Sequence, residues 1–156
     1  MSARIGAEFD KSLGVLQHMA QDTALRAQVA DVVVVAVAAL RAGNKLLFAG
    51  NGGSAADAQH WAGELVSRFY FDRPGLPAIA LTTDTSILTA IGNDYGYDYT
   101  FARQIEALGP YRRRVLRNLD LGQLEKHLRA IEAARARSVK TIGFTGQSGD
   151  AMAEHC

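Results

Sequence analysis

The sequence predicts an α/β fold built on a parallel sheet, and three observations point there. Short apolar runs at 46–49, 76–82 and 139–144 are too brief for ordinary helices. Segments with apolar residues at helical spacing lie between them. Polar, glycine-bearing breaks at 50–54, 92–96 and 145–149 punctuate the pattern. Strands alternating with helices form a parallel sheet covered by helices. Ligands on such sheets sit beyond the carboxyl ends of the strands, where these breaks are expected to fall.

In chain order, residues 3–20 place Ile5, Phe9, Leu13, Leu16 and Met19 along one face of an amphipathic helix. Asp22 and Thr23 are candidate caps for a second helix over 24–42. That helix is apolar nearly all round (Val29, Val32 to Val35, Val37, Leu40), which predicts burial against both the sheet and a second subunit. Gly43-Asn44 ends it, and the first strand follows. Arg73-Pro74-Gly75 reads as a turn before the second strand. A short helix is expected from Thr83-Asp84-Thr85-Ser86 to Ile91, then a polar loop at 92–96, then a helix over 99–108. Residues 131–137 read as helix before the last strand.

The 156 residues suit one domain, and a hydrophobic share of 48% with 21% charged is ordinary for a globular chain. A formal charge of +1 gives no reason to expect nucleic acid or an acidic membrane. No uninterrupted apolar run reaches ~18 residues, so no spanning helix is expected. The first residues lack the apolar core of a signal peptide, and Cys156 alone excludes an internal disulfide, so the expected compartment is the cytoplasm.

Residues 45–68 carry the chemistry. The apolar strand breaks at Gly50-Asn51-Gly52-Gly53-Ser54, and helix formers follow from Ala55, with Ala56, Gln59, Gly63 and Val66 at helical spacings. A glycine turn at a helix start presents free N–H groups and partial positive charge, which suits a phosphate or sugar oxygens. The plain alternative is a strand-to-helix connection capped by Ser54 or Asn51. His60 and Glu64, four residues apart, share one helix face, expected about one turn from the ligand-binding end. That spacing allows a shared divalent metal, or Glu64 as a general base oriented by its neighbour. The bland alternative is a solvated polar face.

The motifs GNGGSAADAQHWAGELVSRF and RPGLPAIALTTDTSILTAIGNDYGYDYTFARQIEALG resemble the sedoheptulose-7-phosphate isomerases (phosphoheptose isomerases) of the SIS-domain family. The likeness covers residues 5–109 and 129–156. It implies an SIS-type three-layer sandwich over 1–156, with helices at 3–42 for oligomer packing and a sheet core at 45–156. It implies an aldose–ketose isomerisation of sedoheptulose 7-phosphate to D-glycero-D-manno-heptose 7-phosphate, a precursor for lipopolysaccharide, capsule or related glycans. Asn51, Gly52, Gly53 and Ser54 would hold the sugar, with Asn93 and Asp94 at its hydroxyls. Glu64 would be the base, also touching substrate, and His60 and Glu64 would bind zinc, one per subunit. The assembly implied is a homotetramer with sites built between subunits, without membrane or nucleic-acid partners.

The chain departs from the resemblance twice. Residues 112–127, RRRVLRNLDLGQLEKH, stand where a strand and a serine-rich phosphate loop of the form GDVLIGISTSGNSKNI belong. The segment reads as a polar, helical surface run with a basic patch at Arg112, Arg113, Arg114 and Arg117. It also reads as the family loop translated out of frame. Serine TCN codons shifted by one base give Leu119, Leu121 and Leu124, and the neighbouring codons give Asp120, Gly122, Gln123, Glu125, Lys126 and His127. From Arg129 the family pattern returns, which implies a second, compensating shift. Without the serine loop the phosphate grip is expected to be lost. The second departure is that the family continues past Cys156 with a strand and a helix carrying a glutamine and a histidine, which complete the metal site and the acid/base pair. Their absence predicts an uncovered sheet face. Two rival readings follow: a non-catalytic SIS module of the kind that associates with a replication initiator, and an inactive truncated isomerase. Glu64 favours the enzyme, because the non-catalytic relative lacks that carboxylate.

Overall fold

The computed structural model describes residues 2–108, 115–119 and 124–146. Two compact units divide at Val35/Ala36. The first holds α1 (Ser2–Gln21) and most of α2 (Thr23–Arg41). Asp22 caps α2, its Oδ1 accepting from Leu25 N–H at 2.9 Å. The apolar row of α1 is open to solvent, as are Val29, Val33, Val34 and Val37 of α2, whose only buried residue is Ala36. The burial expected of the second helix is therefore not made within one chain. By length and a mean hydropathy of 1.7, α2 is apolar enough to cross a bilayer. Reading only uninterrupted apolar runs misses this, because Asp31 interrupts the run and Arg26 and Arg41 flank it.

The second unit carries the sheet. Gly43 at φ 75° closes α2, with Asn44 N–H on Ala39 O and Gly43 N–H on Leu40 O, a glycine-terminated helix end. The chain then runs through β1 (Leu46–Ala49), α3 (Gly53–Val66), β2 (Ala78–Ala80), α4 (Thr85–Asp94), a 3-10 turn (Tyr97–Tyr99), α5 (Thr100–Leu108), β3 (Val115–Leu119), α6 (Leu124–Ala136) and β4 (Lys140–Phe144). All pairings are parallel, in the order β2-β1-β3-β4. β1 is central and buried throughout, which is why it reads as a continuous apolar run without alternation.

The two faces of β1 are covered by different helices. Leu47 and Ala49 pack with Leu81, Phe101, Ile105, Ala130 and Ala134, so α5 and α6 cover one side. Phe48 points the other way and meets Trp61 of α3 edge-on, ring centroids 5.9 Å apart; Trp61 meets Phe144 of β4 at 5.4 Å. Helix, sheet and helix form the expected three-layer sandwich. Gln104 ties α5 to the end of β2, donating to Leu81 O at 2.9 Å and Thr100 O at 3.0 Å.

Several expectations need correction. Residues 115–119 form a strand at the centre of the sheet, paired on both sides, so the polar run is not a surface helix and Arg117 belongs to β3. Sheet register overrode its polar pattern. Arg112 to Arg114 and Asp120 to Gln123 lie outside the described residues, as do 147–156. α6 begins at Leu124, earlier than expected. On α3 the packed residues are Ala58 and Ala62, whereas Ala56, Gln59, Gly63 and Val66 face solvent. The helix was legible, and the side that meets the sheet carries these alanines together with Trp61.

Candidate active site

The turn after β1 is shaped by Gly52, the residue preceding α3, at φ 54° and ψ −120°. A side chain at that φ is strained, so glycine is required. Among the described residues no side chain caps the first turn of α3. Neither Asn51 nor Ser54 takes that role; Ser54 instead closes the turn through its own N–H on Asn51 O at 3.0 Å. The next two N–H groups, of Ala55 and Ala56, both turn back to Gly52 O, at 3.2 and 3.4 Å.

The Asn51 side chain is turned toward other elements. Tyr97 donates its hydroxyl to Asn51 Oδ1 at 3.4 Å, Lys126 Nζ approaches the same oxygen at 3.4 Å, and His127 Nε2 lies 3.5 Å from Asn51 Nδ2. The segment after α4 and the start of α6 thus meet at the glycine turn. Three alternate tyrosines hold that arrangement: Arg103 lies over the Tyr95 ring at 4.5 Å, Lys126 over Tyr97 at 4.1 Å and Arg129 over Tyr99 at 4.5 Å. Arg129 Nη1 also donates to the Tyr99 hydroxyl at 2.8 Å.

Asn93 and Asp94 were expected in a loop. They form the last turn of α4, which Asp84 caps at its other end through Ile87 N–H at 2.9 Å. Both are exposed and bonded to each other, Asn93 Nδ2 to Asp94 Oδ1 at 2.8 Å. His60 and Glu64 share the open side of α3, Nε2 to Oε1 3.8 Å, with side chains 70% and 33% exposed. They are further from the turn than expected. Glu64 lies eleven residues beyond Gly53, so about 16 Å along the helix at 1.5 Å per residue. His60 is two turns away. A 3.8 Å gap fits two donors at roughly 2.0–2.2 Å from one shared ion. Among the described residues, however, no group of three His, Cys, Asp or Glu could hold a metal.

Sequence reasoning missed Tyr97, Lys126, His127 and Arg73. The last secures the far end of α3: its guanidinium donates to Glu64 O and Leu65 O, both at 2.8 Å, satisfying carbonyls at the helix's negative end. No spacing rule links Arg73 to that helix, because the turn that returns it is fixed by tertiary packing. Lys126 and His127 had been read as surface residues, yet they are 3% and 2% exposed.

The chain is similar to known proteins along most of its length. The SIS domain matches residues 9–146. Phosphoheptose isomerase from a Bradyrhizobium strain is 51% identical over 97% of this chain and 77% of its own. That of Aneurinibacillus thermoaerophilus is 46% identical over the whole chain and 79% of its own. Among solved structures, a phosphoheptose isomerase from Francisella tularensis superposes with a TM-score of 0.86 at 36% identity, covering 97% of this chain and 78% of that one. The one from Neisseria gonorrhoeae gives 0.79 at 36% identity, covering 98% and 79%. Identity of this order over most of both chains places the protein in the SIS-domain family, among the phosphoheptose isomerases.

Proposed function

We propose that the chain interconverts sedoheptulose 7-phosphate and D-glycero-D-manno-heptose 7-phosphate. The observation that carries the reading is the Glu64 carboxylate, paired with His60 on the open side of a helix that starts at an uncapped glycine turn. Glu64 takes the proton from the carbon beside the carbonyl, an enediol forms, and a proton is returned to the neighbouring carbon. Asn51, Gly52, Gly53 and Ser54 hold the sugar, and Asn93 and Asp94 meet its hydroxyls. His60 and Glu64 would hold zinc, which would polarise sugar oxygens. Two ligands fall short of the three protein ligands of a catalytic zinc site, and among the described residues no third joins them.

The assembly we propose is a homotetramer in the cytoplasm, with neither membrane nor nucleic acid among its partners. The exposed valines of α2 and the apolar row of α1 support subunit packing. The three-turn separation of Glu64 from the glycine turn supports sites completed by a neighbouring subunit. The reading is tested by incubating the purified protein and zinc with sedoheptulose 7-phosphate and following the sugar by carbon NMR. Aldose signals that grow with protein concentration support it. Their absence, in a chain that binds the ligand, leaves the non-catalytic SIS module as the better reading.

A further inference from the structure

Lys126 is 3% exposed, yet among the described residues no anion neutralises it. Its Nζ meets Asn51 Oδ1 at 3.4 Å and the Tyr97 ring at 4.1 Å, and neither is an anion. Among the described residues no carboxylate forms an ion pair with it. A buried ammonium with only neutral partners is costly. Its place raises that cost. Lys126 is the third residue of α6, where the helix dipole is positive, and it faces Asn51 just ahead of the uncapped start of α3. The starts of α3 and α6 and a buried cation lie together here, and among the described residues no negative charge accompanies them. Tyr97, whose ring lies against the ammonium, is itself 55% exposed.

We propose that Lys126, beside the uncapped start of α3, grips the phosphomonoester of the sugar phosphate in place of the serine-rich loop that residues 112–127 do not supply. A dianion there gains charge-assisted hydrogen bonds from the ammonium and the favourable dipole of the helix start. The face of Tyr97 holds the ammonium in position before the ligand arrives. The grip expected to vanish with the serine loop is thereby rebuilt from one side chain two residues into the following helix. This inference rests on the isomerase reading for the identity of the sugar, but not for the anion site.

The test is calorimetric titration of the full chain and of Lys126→Met and Lys126→Arg with sedoheptulose 7-phosphate, unphosphorylated sedoheptulose and inorganic phosphate. Lys126→Met is expected to weaken both phosphorylated ligands tenfold or more and to leave the unphosphorylated sugar unchanged. Lys126→Arg is expected to stay within a few-fold of the parent. Parent-like phosphate binding by Lys126→Met overturns the proposal, and so does equal loss of all three ligands. Should Lys126→Met fail to fold, the parent's phosphate affinity decides: a steep fall with added salt supports a charge-based grip, and salt-independent binding overturns it. Lys126-dependent phosphate binding in a parent without turnover removes the isomerase reading and keeps the anion site.

Discussion

Adding one methyl group at Gly52 or at Gly53 should move stability in opposite directions. Gly52 sits at φ 54° and ψ −120°, and nothing lies within 4 Å of a Cβ built there. The cost of Gly52→Ala is therefore conformational rather than a clash, about 1–3 kcal/mol. Gly53 opens α3, has no positive φ, and also has open space around its Cβ. There alanine reduces unfolded-state freedom and raises helix propensity, for a gain of about 0.4–1 kcal/mol. For a chain of 156 residues each kcal/mol shifts the melting temperature by about 2–4 °C. Gly52→Ala should then melt roughly 2–12 °C below the parent and Gly53→Ala about 1–4 °C above it. Circular dichroism melts of the three proteins at one concentration make the comparison. Titration with sugar phosphate adds a second reading, since the methyl at Gly53 occupies the approach to the helix start and should weaken binding despite the gain in stability. Melting shifts of the same sign, or a Gly52→Ala protein as stable as its parent, would refute the conformational assignment of this turn.

Further predictions concern the elements that hold the site. Gln104→Leu leaves Leu81 O and Thr100 O without their buried donor and should cost about 1–3 kcal/mol in urea unfolding. Trp61→Ala removes the ring that joins Phe48 to Phe144 and should cost about 3 kcal/mol; as the only tryptophan, Trp61 also reports unfolding by fluorescence in the parent. Ser138 closes α6 at φ 54°, with Val139 N–H on Ala134 O, so Ser138→Gly should raise stability by up to about 1 kcal/mol, read from the same melts. His60→Ala should lower zinc bound per subunit at least tenfold in competition with a chromophoric chelator; unchanged zinc content would remove His60 from the metal site.

The outer frame of the fold was legible because its signals are local. The four-residue apolar run of β1, the Asp22 and Asp84 caps and the Gly43 helix end each act within a few residues of themselves. What the sequence hid was set by distant parts of the chain. Val115–Leu119 carries Arg117 and Asn118 yet lies between β1 and β4, because a place in the sheet outweighs a polar pattern. The buried face of α3, Ala58 and Ala62, was not legible because alanine contributes little to a hydrophobic pattern. In the site, the glycine turn and the His60–Glu64 pair were readable from composition and spacing. Tyr97, Lys126 and His127 were not, because they meet Asn51 across 46, 75 and 76 residues of chain. The distance from Glu64 to the turn was underestimated for a simpler reason: α3 starts at Gly53, and each residue along it adds ~1.5 Å.

The central claim is that Glu64 moves the proton of an aldose–ketose isomerisation. It is tested by solvent deuterium exchange into sedoheptulose 7-phosphate, comparing the parent chain with Glu64→Gln by proton NMR. The account predicts that the parent washes deuterium into the carbon beside the carbonyl, and that Glu64→Gln exchanges about 10²–10⁴-fold more slowly while still binding the sugar phosphate. Exchange at the parent rate in Glu64→Gln would contradict it.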